Sequence, residues 1–387
     1  MHISFKRLLL CLPLLLGFLI SPIQAQTDTT KYRFGWLEKQ ARKMLADTAA
    51  PGEPRFLAYP TVGYAPETSL EIGVSAVRLF HARREATNRL SEIRLFAFFT
   101  LESQYGIWLD HDIYGHEDKW FFLGQIRQQR FPLLYFGIGP NTLEEDAVLI
   151  DANYTKLRER VLRRVAPNLF VGFESDFQLL YNVNFEEEFN PMPLGSEGSL
   201  NLGLGLGMVY DNRHNVLNVR EGVFAELAFL EYLPAFGSDF SFREIYLDSR
   251  YYIPITRDKS QVLAMQFQAS SFVRDVPFNH MALLGGEQMM RGYYTGRYRD
   301  KNLVAFQAEY RFLPFPLSFT DRIGGAVFVA TGMVAPRVQD FQLKNLLPTG
   351  GFGLRYLLFK QKDIYVRFDV AFTEEGPGFY FFTGEAF

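Results

Sequence analysis

The chain has 387 residues, 48% of them hydrophobic and 16% aromatic, with 40 Lys and Arg against 43 Asp and Glu. That balance excludes a disordered polyelectrolyte and disfavours nucleic-acid partners. No zinc spacing, phosphate loop or nucleotide fingerprint is present in the sequence, so neither a metal nor a cofactor is expected.

Lys6 and Arg7 precede an apolar run from Leu8 to Ile20, followed by Ser21-Pro22 and a small-residue exit ending at Ala25. This reads as a secretory signal peptide over 1–25. The only cysteine, Cys11, lies inside that run, so the exported remainder would hold no thiol for disulfides, catalysis or metal binding. Within 26–55, Leu37, Ala41, Met44 and Leu45 share one helical face and Lys39, Arg42 and Lys43 the other. That spacing predicts a short periplasmic amphipathic helix and linker. After Ala25 no stretch approaches the roughly 18 consecutive apolar residues of a helical membrane span.

From Phe56 the period becomes two. Leu200, Leu202, Leu204, Leu206, Met208 and Tyr210 alternate with Asn201, Gly203, Gly205 and Gly207. Val304, Phe306, Ala308, Tyr310 and Phe312 alternate with Gln307, Glu309 and Arg311, and Ile364, Val366, Phe368, Val370 and Phe372 with Arg367 and Asp369. A soluble sandwich would need a second layer over the apolar face, and nothing in the chain supplies one. With the apolar face turned to lipid and the polar face to a lumen, the pattern is satisfied and no sheet edge is left open. The expectation is an all-β, transmembrane, 16-stranded antiparallel β-barrel over 56–387, its strands starting near 56, 69, 89, 105, 120, 149, 167, 197, 222, 240, 261, 302, 323, 349, 364 and 377. Charges interrupt both faces of the strands near 149 and 167. Compact charged turns such as 115–119, 256–260 and 360–363 fall on the periplasmic side, and the longer connections 139–148, 186–196, 279–301 and 338–348 on the other.

The connection after the eleventh strand holds Gly285-Gly286-Glu287-Gln288-Met289-Met290-Arg291-Gly292-Tyr293, and the twelfth strand reads Phe306-Gln307-Ala308-Glu309-Tyr310-Arg311-Phe312. This resembles the outer-membrane protein 85 superfamily, the BamA/TamA or bacterial surface antigen family, whose sixth extracellular loop carries a Val-Arg-Gly-Phe/Tyr tetrad, here Met290-Arg291-Gly292-Tyr293. Tyr135-Phe136-Gly137-Ile138-Gly139 on the third loop and the turn from Asp211-Asn212-Arg213 through Glu221-Gly222 match as well. The resemblance implies a loop folded into the lumen, with Arg291 held mainly by Glu309 and Tyr293 packed on the wall. On the thirteenth strand the family carries Phe-x-Asp-x-Gly, whereas this chain has Phe328-Val329-Ala330-Thr331-Gly332, which implies one wall anion fewer and a weaker hold. The aromatic C-terminus places Phe379, Phe381 and Phe387 on one face and resembles the signal read by outer-membrane assembly machinery, with Glu385 interrupting that face. Members of the family normally carry periplasmic transport-associated modules ahead of the barrel, and 26–55 is too short to fold as one.

A barrel-borne hydrolase would need a nucleophile, a His and an orienting acid. His111 lies between Asp110 and Asp112, but in a strand both carboxylates point away from it. Lys156, Arg158 and Arg160 share one face, either as a lumenal cationic ladder or as wall charges balanced by acids on neighbouring strands. The resemblance implies a non-catalytic protein of the bacterial outer membrane that helps insert, assemble or maintain proteins or lipids there. Its partners would be outer-membrane lipid and client outer-membrane proteins or an accessory periplasmic protein. A passive diffusion channel is the alternative, and a lipid-modifying enzyme is a more distant one.

Overall fold

The computed structural model describes residues 54–387, apart from 86, 214–217, 316, 318–319 and 360–362. The expected signal peptide over 1–25, and the helix and linker of 26–55 except its last two residues, lie outside the described residues. No described helix is long and apolar enough to cross a membrane.

Among the described residues, sixteen antiparallel strands form one closed sheet: β1 (Arg55–Ala65), β2 (Ser69–His81), β3 (Leu90–Thr100), β4 (Tyr105–Tyr114), β5 (Trp120–Arg130), β6 (Val148–Ala166), β7 (Leu169–Phe185), β8 (Ser199–Asp211), β9 (Gly222–Tyr232), β10 (Phe242–Pro254), β11 (Gln261–Arg274), β12 (Asn302–Phe312), β13 (Ile323–Ala335), β14 (Leu347–Phe359), β15 (Ile364–Thr373) and β16 (Gly376–Thr383). Each pairs with its sequence neighbour, and β1 meets β16 to close the ring. Observed starts agree with the sequence pattern to within two residues. Pro132 lacks a ladder donor, and the strand breaks there before Leu133–Tyr135 resumes pairing with the top of β6.

Alternation decides which way each side chain points. On β8, Leu206 and Met208 are exposed while Asn201, Val209 and Asp211 are buried, and on β15 Phe368 and Phe372 face out while Arg367, Asp369 and Ala371 face in. The charges that interrupt β6 are balanced from neighbouring strands: Arg158 pairs with Glu174 at 2.6 Å and Glu244 at 3.5 Å, and Arg160 with Glu174 at 2.9 Å and also with Glu226. Of the two readings open for these cations, the balanced wall is the one observed for both arginines.

A long connection enters the lumen. The connection between β11 and β12, residues 275–301, is the sixth extracellular loop, and it folds inward through a short hairpin of Ala282–Leu284 and Tyr298–Asp300. Its Met281, Leu284, Met290, Tyr293 and Tyr298 pack against wall residues including Tyr232, Phe242, Phe272 and Ala330. Each large apolar side chain so buried contributes about 1.5–3 kcal/mol, enough in sum to hold a long loop in place.

Candidate functional site

The tip of loop six is a tight turn whose Gly286 N–H donates to the Tyr293 carbonyl at 3.1 Å, with Gly285 at its start. Met290 and Gly292 both have positive φ, 59° and 106°, and this path drives Arg291 down into the barrel, where it is 1% exposed. Its guanidinium forks onto two carboxylates, Nη2 to Glu309 at 2.5 Å and Nη1 to Asp369 at 2.6 Å, and lies 3.5 Å from the Phe328 ring centroid. Charge-assisted forks and a cation over an aromatic face both favour arginine over lysine.

The backbone around Arg291 is anchored too. Thr349 donates to the Arg291 carbonyl, the Gly292 N–H donates to the Tyr380 hydroxyl at 2.8 Å, and the Tyr293 hydroxyl donates to the Pro348 carbonyl at 3.1 Å. Three residues of one loop therefore touch β12, β13, β14, β15 and β16.

A second carboxylate is present despite Ala330, and it comes from β15. Inward-facing Gly353 on β14 leaves the space that Asp369 and Arg355 fill, since a Cβ there would collide with Asp369 Oδ1. Arg311 and Arg355 also bind Glu309, at 2.8 and 3.3 Å, while Arg355 and Arg367 bind Asp369 at 2.5 and 2.9 Å. Ala330 itself packs in the apolar cluster beneath the loop. The expectation of a single main partner is therefore corrected: two acids on strands three apart share the arginine.

The C-terminus also departs from expectation. β16 ends at Thr383 and Gly384 turns with φ 92°, so strand alternation stops there. Phe379 and Phe381 remain on the outer face, but Phe387 lies inside against Tyr252, with its backbone oxygen accepting from Arg311 at 2.9 Å. Glu385 is likewise inside, 2.8 Å from Arg355, and does not interrupt the lipid face.

Loop three meets loop six: the Gly139 N–H donates to the Arg299 carbonyl at 2.8 Å, and Arg299 lies over the Tyr135 ring at 4.8 Å. From the other side the β1–β2 turn reaches loop six, where Thr295 donates to Glu67. Burial, then the nearby Glu287, pushes the Glu67 carboxyl up to about 7. A carboxyl raised on folding binds its proton more tightly in the folded state, so the buried placement of Glu67 against loop six is most stable below the ordinary value of 4.5 and is weakened by burial and by Glu287 as pH rises through about 7. Protease cleavage within 279–301 should accordingly increase between about pH 5 and about pH 8 in the wild type, and this dependence should be weaker in Glu67→Gln.

Gly292→Ala should disturb the tip directly. Its φ is one that side chains rarely adopt, and the added Cβ would lie 2.5 Å from Thr373 Cγ2. Backbone strain alone costs about 1–3 kcal/mol, visible as faster loop-six proteolysis than in the wild type measured side by side.

The closing seam is short. All of β1 pairs in register with β2, from Arg55 opposite Leu79 to Ala65 opposite Ser69. With β16 the register among the described residues is Tyr64 opposite Phe381, and β16 ends at Thr383, after which the chain turns inward at Gly384.

A closed, lipid-facing, sixteen-stranded barrel with a lumenal sixth loop defines a class of outer-membrane protein. The Omp85 superfamily domain matches residues 144–387, more than half of the chain. The chain belongs to the Omp85 superfamily, which places it in the bacterial outer membrane. Among solved structures it is similar to BamA from Haemophilus ducreyi lacking POTRA domains 1-3, at 15% identity and TM-score 0.55 over 85% of this chain and 70% of that one. CdiB from Acinetobacter baumannii matches at 11% identity and TM-score 0.56, over 85% of this chain and 59% of that one. CdiB from Escherichia coli matches at 10% identity and TM-score 0.57, over 88% of this chain and 63% of that one. The chain thus spans less than two thirds of either CdiB chain. These likenesses concern the fold. No protein of curated function matches the sequence.

Proposed function

We propose that this barrel assists the insertion, assembly or maintenance of proteins or lipids in the outer membrane, without catalysis, by opening between β1 and β16. The observation that carries the reading is the seam, where β1 is fully paired on one side and paired with β16 at Tyr64 and Phe381 on the other. A short seam costs less to part than a full ladder, and a strand edge parted into lipid favours any strand or lipid group that covers it. In this reading loop six is the brace: Arg291 and its neighbours tie β12 through β16 into one unit, so that movement is confined to the junction with β1. Met290, Gly292 and Tyr293 shape and seat the tip, and Phe379 and Phe381 present an aromatic face beside the seam for recognition during the barrel's own assembly. Clients would be outer-membrane proteins, delivered by an accessory periplasmic protein.

The test uses the purified protein in liposomes, measuring ion conductance and the folding rate of an unrelated small barrel protein. Low conductance with accelerated folding supports the reading. High steady conductance without acceleration would instead identify a diffusion channel.

A further inference from the structure

On the lumenal side of the seam an acid crosses β1. Thr61, Gly63 and Ala65 of β1 face the lumen, as do Glu71 and Gly73 of β2. Gly63 lies opposite Glu71, and Thr61 opposite Gly73. Because residue 63 has no side chain, the Glu71 carboxylate reaches over the strand: a Cβ there would be 3.0 Å from Glu71 Oε1. Phe382 of β16 covers the same point from the other side, its Cε1 2.9 Å away. Gly63 adjoins Tyr64, where β1 and β16 are in register, and continuing that register by one step sets Phe382 opposite Gly63.

No positive charge meets this carboxylate among the described residues. Glu71 is 6% exposed and has neither a hydrogen-bond nor an ion-pair partner there. Beside it Thr61, 9% exposed, has an unpartnered hydroxyl, and Glu67 of the β1–β2 turn an unpartnered Oε2. Glu287 of loop six adds a third negative charge that acts on both Glu67 and Glu71. Arg367 lies beyond Phe382, 5.3 Å from that ring's centroid, and is already held by Asp369 at 2.9 Å and by the Glu287 carbonyl at 3.1 Å. A buried carboxylate without a partner is costly when ionised, so the cradle favours an incoming positive charge. Among the described residues no three acids or histidines are grouped to hold a metal ion, which points to a larger cation carried on a side chain.

We propose, resting on the seam opening put forward above, that β1 selects client strands with a lysine or arginine at the place Phe382 takes in the closed barrel. A strand added to a sheet edge gains main-chain hydrogen bonds whatever its sequence, and the sites for its alternate side chains supply the selectivity. The client residue opposite Gly63 points into the lumen, as Phe382 does. A basic side chain there meets Glu71 over the bare glycine, with the Thr61 hydroxyl and Glu67 close by, and an unpartnered acid becomes half of an ion pair. An acidic residue at the same place adds to the negative charge of Glu67, Glu71 and Glu287. A lipid headgroup can also bring an ammonium, but it makes no ladder with β1.

The test is client folding in phosphatidylcholine liposomes, using an unrelated small barrel protein with Lys, Gln or Glu placed at each inward-facing position of its terminal strand in turn. Acceleration over protein-free liposomes should be at least about tenfold greater for lysine than for glutamate at one such position. Glu71→Gln should shrink that difference to within about twofold, and Glu71→Lys should invert it. Folding of each variant is checked by heat-modifiable gel migration, and if Glu71→Lys does not fold, Glu71→Gln, neutral and of the same size, decides. Equal acceleration of all three clients, or a preference that survives Glu71→Gln, would overturn the selectivity and leave the seam opening standing. Acceleration of none would sink the opening and the selectivity with it. A response that follows added phosphatidylethanolamine instead of client charge would assign the cradle to a lipid ammonium and overturn the proposal.

Discussion

Replacing Arg291 with leucine is expected to release loop six from the barrel wall. The substitution removes a buried cation from between Glu309 and Asp369, and breaking a buried pair by removing one partner costs about 3–5 kcal/mol. Arg311, Arg355 and Arg367 still reach the two acids, so the lower end of that range applies. About 3 kcal/mol corresponds to a roughly hundredfold rise in the open population of the loop. Cleavage between residues 279 and 301 on intact cells is the readout. Arg291→Lys should fall between leucine and wild type, since one ammonium cannot fork onto two carboxylates held by different strands. Equal cleavage in all three proteins would show that the arginine is idle.

The second large effect concerns the seam. Tyr64 and Phe381 face each other across it, and directly opposed residues of an antiparallel pair lie about 4.5–5.5 Å apart at Cα, within the range a disulfide spans. The variant Tyr64→Cys with Phe381→Cys, in a Cys11→Ser background, should form the bond on oxidation and lose its acceleration of client folding, with recovery on reduction. The same bond between Val62→Cys and Ile72→Cys, opposed within the complete β1–β2 ladder, should change nothing. Undiminished activity with the seam closed would sink the proposed opening.

Much of this architecture can be read from the chain because a barrel wall obeys a local rule. Alternation alone places Leu206 outside and Asp211 inside, and turn chemistry marks the strand ends, although the outer connections 66–68, 101–104 and 374–375 are as short as several periplasmic ones. Glu309 is recognisable from its strand and from the loop motif before it. What sequence does not disclose depends on register between strands distant in the chain. Arg367 and Asp369 are assignable to the inner face, but that Asp369 reaches Arg291 depends on the bare Gly353 beside it. His111 has no acid among its sequence neighbours that can reach it, since its partner Glu159 is two strands away over Gly124. Phe387 escapes the alternation that places Phe379 and Phe381, because Gly384 ends the strand after Thr383.

The anchors of loop six also fix a sequence of events in folding. Arg291 bonds Asp369 across 78 residues and Gly292 bonds Tyr380 across 88, and both partners belong to the final hairpin. Contacts so distant along the chain form late, after the closure entropy of everything between them has been met. The loop cannot acquire its full resistance to protease until β15 and β16 are in place. Its resistance is therefore a clock for completion of the ring, and a nascent barrel stalled before its last hairpin would betray itself by an open sixth loop.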